Sequence, residues 1–358
     1  MPSADPPLIV RAEHPPNAGT PITQLAHFIT PIASFFQRNH ASIPNINPAT
    51  YRLTIDGLVN QQLQLTLADL QRFARHTLIS TLQCAGNRRT EMNAYKPIGG
   101  EIIWDFDAIS TAEWSGVRLA DVISAAHPQA LAAHVAFTGL DHVEKEGETF
   151  AYGGSIDLRR ALTNDVIIAD KMNGQSLPAE HGYPLRIIVP GVIGARSVKW
   201  LSHIRLQAEP SDNYFQTNAY KLFPSHSTRE TVDWSQGLML DATRLNSVIL
   251  DPQNGVMIPQ GDYTIRGYAV GSEGSAVTKV QISLDNGVSW REAQMEDRAE
   301  KWAWRFWQFP TTLSRGDYQL WVRAEDSSGA TQPANVEAVW NFLGYMNNVW
   351  HKVDITVR

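Results

Sequence analysis

The 358-residue chain contains one cysteine, in the stretch Ser80-Thr81-Leu82-Gln83-Cys84-Ala85-Gly86-Asn87-Arg88-Arg89. The β-prone apolar run from Thr77 to Leu82 predicts a strand, and the Gly-Asn pair after Cys84 predicts a turn. The strand would therefore deliver the thiol to a loop, next to two arginines. Positive charge beside a thiol favours the thiolate, which is the form that binds metals or attacks electrophiles.

Two interpretations of this loop are open from the stretch alone. A lone cysteine is most often a small buried apolar side chain. Two adjacent guanidinium groups, however, are costly to place unless something anionic pairs with them. Arg88 and Arg89 therefore favour a thiolate, a bound anion, or both.

The composition sets the size and class of the protein. The chain is 43% hydrophobic and 18% charged, which is enough for about two domains with their own cores. A net charge of −6 argues against a nucleic-acid-binding protein, because such proteins are normally basic. A single cysteine excludes an intrachain disulfide and a cysteine-ligated iron–sulfur cluster.

The N-terminal residues 1–21 are rich in Pro and Ala and are expected to form a loose arm. The first 20 residues contain no apolar run long enough for a signal peptide or a membrane span. The sequence as written therefore predicts a cytoplasmic protein with no membrane partner. If a leader peptide has been removed, the same sequence would suit the periplasm.

Two further segments combine basic residues with loops. The first is Phe36-Gln37-Arg38-Asn39-His40, which precedes a loop interrupted by Pro44. The second runs from His181 to Trp200 and has Gly191 and Gly194 before Arg196-Ser197-Val198-Lys199. Glycines let backbone N–H groups approach an anion closely, so this pattern resembles a phosphate site, although it matches no Walker or dinucleotide motif.

Taken in order, these motifs resemble those of the sulfite oxidase family of molybdenum enzymes. The matching segments are Phe-x-Arg-Asn-His, Cys-Ala-Gly-Asn-Arg-Arg, His-Gly-x-Pro-x-Arg and Pro-Gly-x-x-Gly-Ala-Arg-x-Val-Lys-Trp. The resemblance implies molybdenum on a pterin dithiolene (molybdopterin), with Cys84 as the protein ligand of the metal. A soft thiolate suits such a metal.

The resemblance also assigns roles to individual residues. It implies that Arg38 and Arg89 hold the oxyanion substrate, that Tyr220 hydrogen-bonds at the reacting oxygen, and that Trp104 lines the pocket. The residues that it implies for the cofactor are Phe36, Arg38, Asn39, His40, Asp141, His181, Arg186, Ser197, Val198 and Lys199.

The last third of the chain reads as a series of short strands separated by turns. The predicted strands are Tyr263–Val270, Val277–Leu284, Trp302–Phe309, Tyr318–Ala324, Val336–Phe342 and Trp350–Val357. Such spacing is typical of a β-sandwich. The expected fold is α+β: a molybdopterin-binding catalytic domain at 22–235, followed by an immunoglobulin-like dimerisation domain at 236–358. The resemblance implies a homodimer.

The resemblance implies oxygen-atom transfer: oxidation of sulfite to sulfate, with electrons passed to a separate acceptor such as a cytochrome c or oxygen. One departure affects the substrate, because Leu343 stands where many relatives have a pocket arginine. The alternative is the reverse transfer, as in a nitrate-reductase-like or S-oxide-reducing enzyme. A second alternative, from a different class of function, is a non-catalytic β-rich binding protein in which Cys84 is simply buried.

Overall fold

The computed structural model describes residues 6–145 and 147–358. Short helices connect many strands in this part of the chain. The α-helices are α1 Ile22–Leu25, α2 Leu67–Leu70, α3 Arg89–Tyr95, α4 Leu119–Ala125, α5 Leu158–Ala161 and α6 Tyr214–Thr217. The 3-10 helices are Ile32–Ser34, Ala179–His181, Gly194–Arg196, Ser272–Gly274 and Val336–Ala338. None of the helices in residues 6–145 and 147–358 is long and apolar enough to cross a membrane.

The strands divide into those before and those after residue 240. The first set is β1 Ile9–Ala12, β2 Asn17–Gly19, β3 Leu53–Gly57, β4 Leu63–Leu65, β5 Arg75–Gln83, β6 Ile109–Arg118, β7 His134–Lys145, β8 Glu148–Asp157, β9 Ile167–Met172, β10 Gln175–Ser176, β11 Arg186–Ile188, β12 Leu201–Gln207, β13 Lys221–Leu222 and β14 Leu238–Met239. The second set is β15 Asn246–Asp251, β16 Val256–Ile258, β17 Gly261–Val270, β18 Val277–Ser283, β19 Arg291–Glu292, β20 Gln294–Met295, β21 Arg305–Leu313, β22 Gly316–Asp326 and β23 His351–Val357.

Two five-stranded sheets form the first unit. One has the order β10-β9-β6-β5 with β11 beside β9, and the other has the order β4-β3-β12-β7-β8. Strand β5 pairs with β6 along its whole length, from Arg75 opposite Val117 to Gln83 opposite Ile109. The strand predicted from Thr77 to Leu82 is therefore confirmed, and it ends one residue before the thiol.

The second unit is a β-sandwich, as predicted. Its sheets have the orders β15-β17-β21-β20 and β16-β23-β22-β18-β19, and Trp307, Leu320, Val322 and Val353 fill the space between them. The sandwich begins with β15, because β14 pairs with β13 and Leu240 packs into the core of the first unit. Residues 238–243 of the predicted second domain thus pack on the first, whereas Leu245 already belongs to the core of the sandwich.

The strand predicted at Val336–Phe342 is wrong. Val336–Ala338 forms one 3-10 turn, and the chain then crosses to the first unit. Trp340, Phe342 and Leu343 are buried in the core of that unit, where the Trp340 indole donates to the Lys96 carbonyl at 3.1 Å. The apolar residues that suggested a strand are apolar because they bury in another domain.

The N-terminal residues form an ordered hairpin instead of the predicted loose arm. Strands β1 and β2 pair with each other, and Ala18 also bridges to Gln37. The Thr20 amide donates to the Asp107 carbonyl at 2.9 Å, so the hairpin packs on the first unit. Residues 1–5 of the predicted arm lie outside the described residues.

An apolar junction joins the two units. Trp304 and Phe306 pack with Leu25 and Ile109 of the first unit, whereas Trp307 faces the interior of the sandwich. Trp304 and Trp307 therefore lie on opposite faces of β21 and of the residues that lead into it. The Thr81 amide donates to the Trp302 carbonyl, and the Trp304 amide donates to the Thr81 hydroxyl, both at 2.9 Å. The strand that carries Cys84 is thus bonded to both units.

Candidate active site

Cys84 lies where β5 ends, in a tight loop whose backbone points at the sulfur. The Cys84 amide donates to the Ala108 carbonyl at 2.9 Å, which continues the pairing of the sheet by one residue. The Gly86 amide donates to Cys84 Sγ at 3.4 Å. The side chain is 7% exposed, and it lies at a cleft.

The cleft gathers most of the predicted site residues. The predicted residues that line it are Phe36, Arg38, Asn39, His40, Cys84, Asp141, His181, Arg186, Ser197, Val198, Lys199 and Tyr220. They come from five separate parts of the sequence. Their convergence around one thiol is what a binding site for an extended ligand requires.

Arg38, His40 and Tyr220 form a connected chain of polar groups. Arg38 Nη2 lies 2.9 Å from His40 Nε2, and the Tyr220 hydroxyl lies 3.0 Å from the same nitrogen. A guanidinium can only donate, so His40 Nε2 must accept and the imidazole proton resides on Nδ1. Burial, followed by the charge of Arg38, holds the pKa of His40 well below its usual value, in agreement with a neutral ring.

Tyr220 keeps its proton because of its surroundings. Its ring stacks on Tyr345 at a centroid distance of 5.5 Å, and its hydroxyl faces the cleft. Burial raises the pKa of Tyr220 to about 12. The phenol is therefore a hydrogen-bond donor at every pH at which the protein is expected to work.

The other part of the cleft carries Lys199 and Arg186. Lys199 Nζ donates to the Asn39 side chain and, at 2.9 Å, to the Glu180 carbonyl. Arg186 donates to the carbonyl of His181 at 3.0 Å and to that of Ser197 at 3.2 Å. Burial lowers the pKa of Lys199 well below its usual value and that of Arg186 to about 9, because both cations lack a close carboxylate partner. An anion bound here would stabilise both.

Three buried polar atoms of the lining have no hydrogen-bond partner among residues 6–145 and 147–358: His181 Nε2, Asp141 Oδ1 and Arg186 Nε. Burial lowers the pKa of His181 to about 3 and raises that of Asp141 to about 6. Buried polar atoms without partners are costly, so the three call for a polar ligand. A pterin with a phosphate offers donors, acceptors and negative charge together.

The side chains that could coordinate a metal in the cleft also suit a metal that is carried by an organic cofactor. The described part of the chain contains no group of three or more His, Cys, Asp or Glu residues that could hold a metal ion. Cys84 is consequently the one soft ligand that the cleft offers. A metal bound here must bring its remaining ligands with it, as molybdenum on a pterin dithiolene does.

The two arginines that follow the Gly-Asn turn lie outside the cleft lining. Arg88 is fully buried and forms two hydrogen bonds of 2.8 Å with Glu91, and a third of 2.6 Å with Asn246 of the sandwich. Arg89 Nε donates to the Leu343 carbonyl at 3.0 Å, and its guanidinium lies 3.7 Å from Glu101. The anionic partners expected for these two guanidinium groups are therefore carboxylates of the protein, Glu91 and Glu101. The role of Arg89 at the substrate stays a prediction.

Trp104 likewise does not line the cleft. It is fully buried in the apolar cluster that contains Cys84 and Phe36, and its indole nitrogen has no partner among the described residues. Tyr152, which the sequence did not indicate as a site residue, also lines the cleft, and its ring stacks on His40 at a centroid distance of 5.0 Å. The only signal was its position before Gly153 and Gly154, which lets other side chains approach that strand.

Comparison with known proteins agrees with this geometry. Residues 40–215 match the oxidoreductase molybdopterin binding domain family, and residues 239–358 match the Mo-co oxidoreductase dimerisation domain family. Human mitochondrial sulfite oxidase is 41% identical over 99% of this chain and 67% of its own length, and Arabidopsis thaliana sulfite oxidase is 36% identical over 98% and 94%.

A solved structure shares the architecture of both units. The sulfane dehydrogenase SoxCD of Paracoccus pantotrophus matches 95% of this chain and 84% of its own, with a TM-score of 0.80 and 26% identity. The chain belongs to the sulfite oxidase family of molybdopterin-dependent oxidoreductases.

Proposed function

We propose that this protein oxidises sulfite to sulfate. One sulfite and one water give one sulfate, two protons and two electrons. The observation that carries the proposal is the chain of Arg38, His40 and Tyr220, which opens into the same cleft as Cys84. A permanent cation and a neutral phenol beside a metal-binding thiol suit a small sulfur oxyanion.

The side chains of the cleft divide the work between cofactor and substrate. The molybdenum–pterin group, when bound, supplies oxygen-atom transfer and stores two electrons. Lys199 and Arg186 offset the negative charge of the cofactor, and Asp141 and His181 offer it polar contacts. Cys84 as thiolate is the protein ligand of the metal.

Arg38 and Tyr220 act on the oxyanion. Arg38 is held in place by the Asn17 side chain at 3.2 Å and by His40 at 2.9 Å, so its remaining N–H groups are oriented before substrate arrives. The Tyr220 hydroxyl donates to an oxygen of substrate or product in place of its bond to His40. Donors that are already oriented cost little reorganisation when the charge on the oxyanion shifts.

The electrons leave to a separate acceptor, for which we propose a c-type cytochrome or oxygen. We further propose that two copies associate through residues 239–358, the region that matches the dimerisation domain family.

The reverse oxygen transfer, to nitrate or to an S-oxide, is the second candidate. Leu343 favours it, because the expected pocket arginine is missing and the cleft therefore holds one positive charge fewer for a dianion. Nitrate is a monoanion and needs less compensation. Sulfite retains the stronger support, since the Arg38–His40–Tyr220 chain is intact.

The test is the metal content and the turnover of purified protein made in a host that synthesises the cofactor. We expect about one molybdenum per chain and sulfite-dependent reduction of ferricyanide and cytochrome c. Cys84→Ser is the matched variant, and it should lose turnover. Metal-loaded protein that reduces nitrate while leaving sulfite unchanged would overturn the proposal in favour of the second candidate.

A further inference from the structure

The N-terminal hairpin of β1 and β2 reaches the active site through one residue, Asn17. Asn17 is the first residue of β2 and is 1% exposed. The hairpin precedes residues 40–215 and 239–358, the two regions that match the family models. No role has been assigned to it so far, although the Asn17 side chain contacts both Arg38 and Asn39.

The side-chain amide of Asn17 is fully hydrogen-bonded. Its Oδ1 accepts from the Asn39 amide at 2.8 Å and from Arg38 Nη1 at 3.2 Å. Its Nδ2 donates to the Pro15 carbonyl at 2.8 Å and to the Asn39 carbonyl at 3.2 Å. A primary amide has two donor hydrogens and an oxygen with two lone pairs, so all four positions are used. Both partners of Oδ1 can only donate, which fixes the orientation of the amide.

Contacts outside the cleft hold the hairpin in place. The Ala18 amide donates to the Gln37 carbonyl at 3.0 Å, and the Gln37 amide donates to the Ala18 carbonyl at 2.8 Å. Arg11 of β1 forms an ion pair with the buried side chain of Asp107. Asn17 is therefore a fixed hydrogen-bond acceptor before any ligand binds.

Asn17 supplies Arg38 with a partner from outside its own segment. In residues 6–145 and 147–358 the guanidinium has three acceptors, which are Asn17 Oδ1, the Asn39 carbonyl and His40 Nε2. The last two belong to the segment that carries Arg38 itself, and His40 Nε2 is shared with the Tyr220 hydroxyl. Within the described chain, only Asn17 ties the guanidinium directly to a different segment.

We propose that Asn17 is a positioning residue for oxyanion binding, and that it acts by orienting the guanidinium of Arg38. A guanidinium binds an oxyanion through N–H groups that lie in one plane, so its orientation determines how many of them reach the ligand. Without Asn17, Arg38 keeps its charge but loses part of its orientation, and the cost of ordering it falls on the binding of the anion. This role rests on the proposed function only in so far as Arg38 contacts the oxyanion.

Anion affinity and turnover of the molybdenum-loaded protein test this role. Asn17→Ala should raise the dissociation constant of sulfate, measured by calorimetric titration, by about tenfold, on the order of one hydrogen bond to a charged group. The KM for sulfite should rise by a similar factor, while kcat changes by less than about threefold. In an Arg38→Gln background, Asn17→Ala should lower kcat/KM no further, because the residue through which Asn17 acts is absent. A purely structural role would give the same loss in both backgrounds.

Two further variants control for stability and for folding. Gln332→Ala removes a similarly buried amide with four hydrogen bonds from the sandwich, so it should lower stability without changing sulfate binding. Asn17→Asp keeps the shape of the side chain and places a negative charge beside Arg38. At pH 8 it should therefore weaken sulfate binding at least as much as Asn17→Ala.

The outcomes separate this role from the proposed function. A sulfate dissociation constant within about threefold of the unmodified value in both Asn17 variants would overturn the role of Asn17. Equal losses of kcat/KM with and without Arg38 would overturn it as well. Sulfate binding that depends on Asn17, in a protein that does not oxidise sulfite, would refute the proposed function and leave the role of Asn17 intact.

Discussion

Replacing Tyr220 by Phe removes one hydroxyl from the cleft and leaves the ring stacked on Tyr345. In the unliganded protein the loss is one 3.0 Å hydrogen bond to neutral His40, so stability should fall by about 1 kcal/mol. Toward an oxyanion the same hydroxyl makes a charge-assisted bond worth about 1.5–3 kcal/mol, which corresponds to roughly a 10- to 150-fold loss of kcat/KM for sulfite.

The pH profile separates a donor role from an acid–base role. Burial raises the pKa of Tyr220 to about 12, so the phenol stays protonated between pH 6 and 10 and contributes equally throughout. Steady-state sulfite:ferricyanide assays should therefore give parallel profiles for Tyr220→Phe and the unmodified protein. Tyr318→Phe, which loses an exposed bond to the Ser314 carbonyl in the sandwich, is the control.

Either of two results would refute this reasoning. A loss in Tyr220→Phe of less than about threefold would mean that the hydroxyl does not contact the reacting anion. An inflection below pH 10 that disappears in the variant would mean that Tyr220 titrates and acts as an acid or base.

Three further predictions concern stability. In cofactor-free protein, Asp141→Asn should raise the free energy of unfolding by about 2–3 kcal/mol at pH 8 and by less than about 1 kcal/mol at pH 4. Burial raises the pKa of this carboxyl to about 6, so ionisation penalises folding increasingly as the pH rises from the carboxyl's unfolded-state pKa to about 6, and fully above that. Urea unfolding at the two pH values checks this, and equal effects at both would contradict it. Arg88→Met should lower the free energy of unfolding by about 3 kcal/mol, because it leaves the partly exposed Glu91 without its cationic partner. Arg159→Gln, at an exposed position, should change the free energy of unfolding by no more than about 0.5 kcal/mol. Trp304→Ala should cost about 3–5 kcal/mol and lower the temperature at which both units unfold; a change confined to the sandwich would show that the junction does not couple them.

The features that could be predicted from the sequence have local signals. The β-branched run before Cys84 gives a strand. Asn173 and Gly174, a pair that favours tight turns, form the turn between β9 and β10. The cleft residues were predictable for a different reason: the resemblance places each motif against the same cofactor, and the structure brings those motifs together.

Long-range partners could not be predicted. Nothing near Arg89 in sequence shows that its guanidinium binds the carbonyl of Leu343. Likewise, the apolar side chains of Trp340 and Phe342 suit a strand as well as a segment that crosses to the other unit and is buried there. Asn17 illustrates the same limit, because only the folded chain shows that this asparagine, from a segment expected to be a loose arm, accepts from Arg38. Local sequence patterns indicate secondary structure and side-chain chemistry, whereas the tertiary contacts of a side chain depend on the folded chain.

The bonds from Thr81 to Trp302 and from Ala85 to Met346 also tie the segment around the thiol to a distant part of the chain. More than 200 residues of sequence separate the two partners in each pair. The loop that carries Cys84 therefore receives its full support only when residues 302 and 346 have folded against it. A polypeptide that lacks them should hold the pterin poorly, even with every cleft residue present.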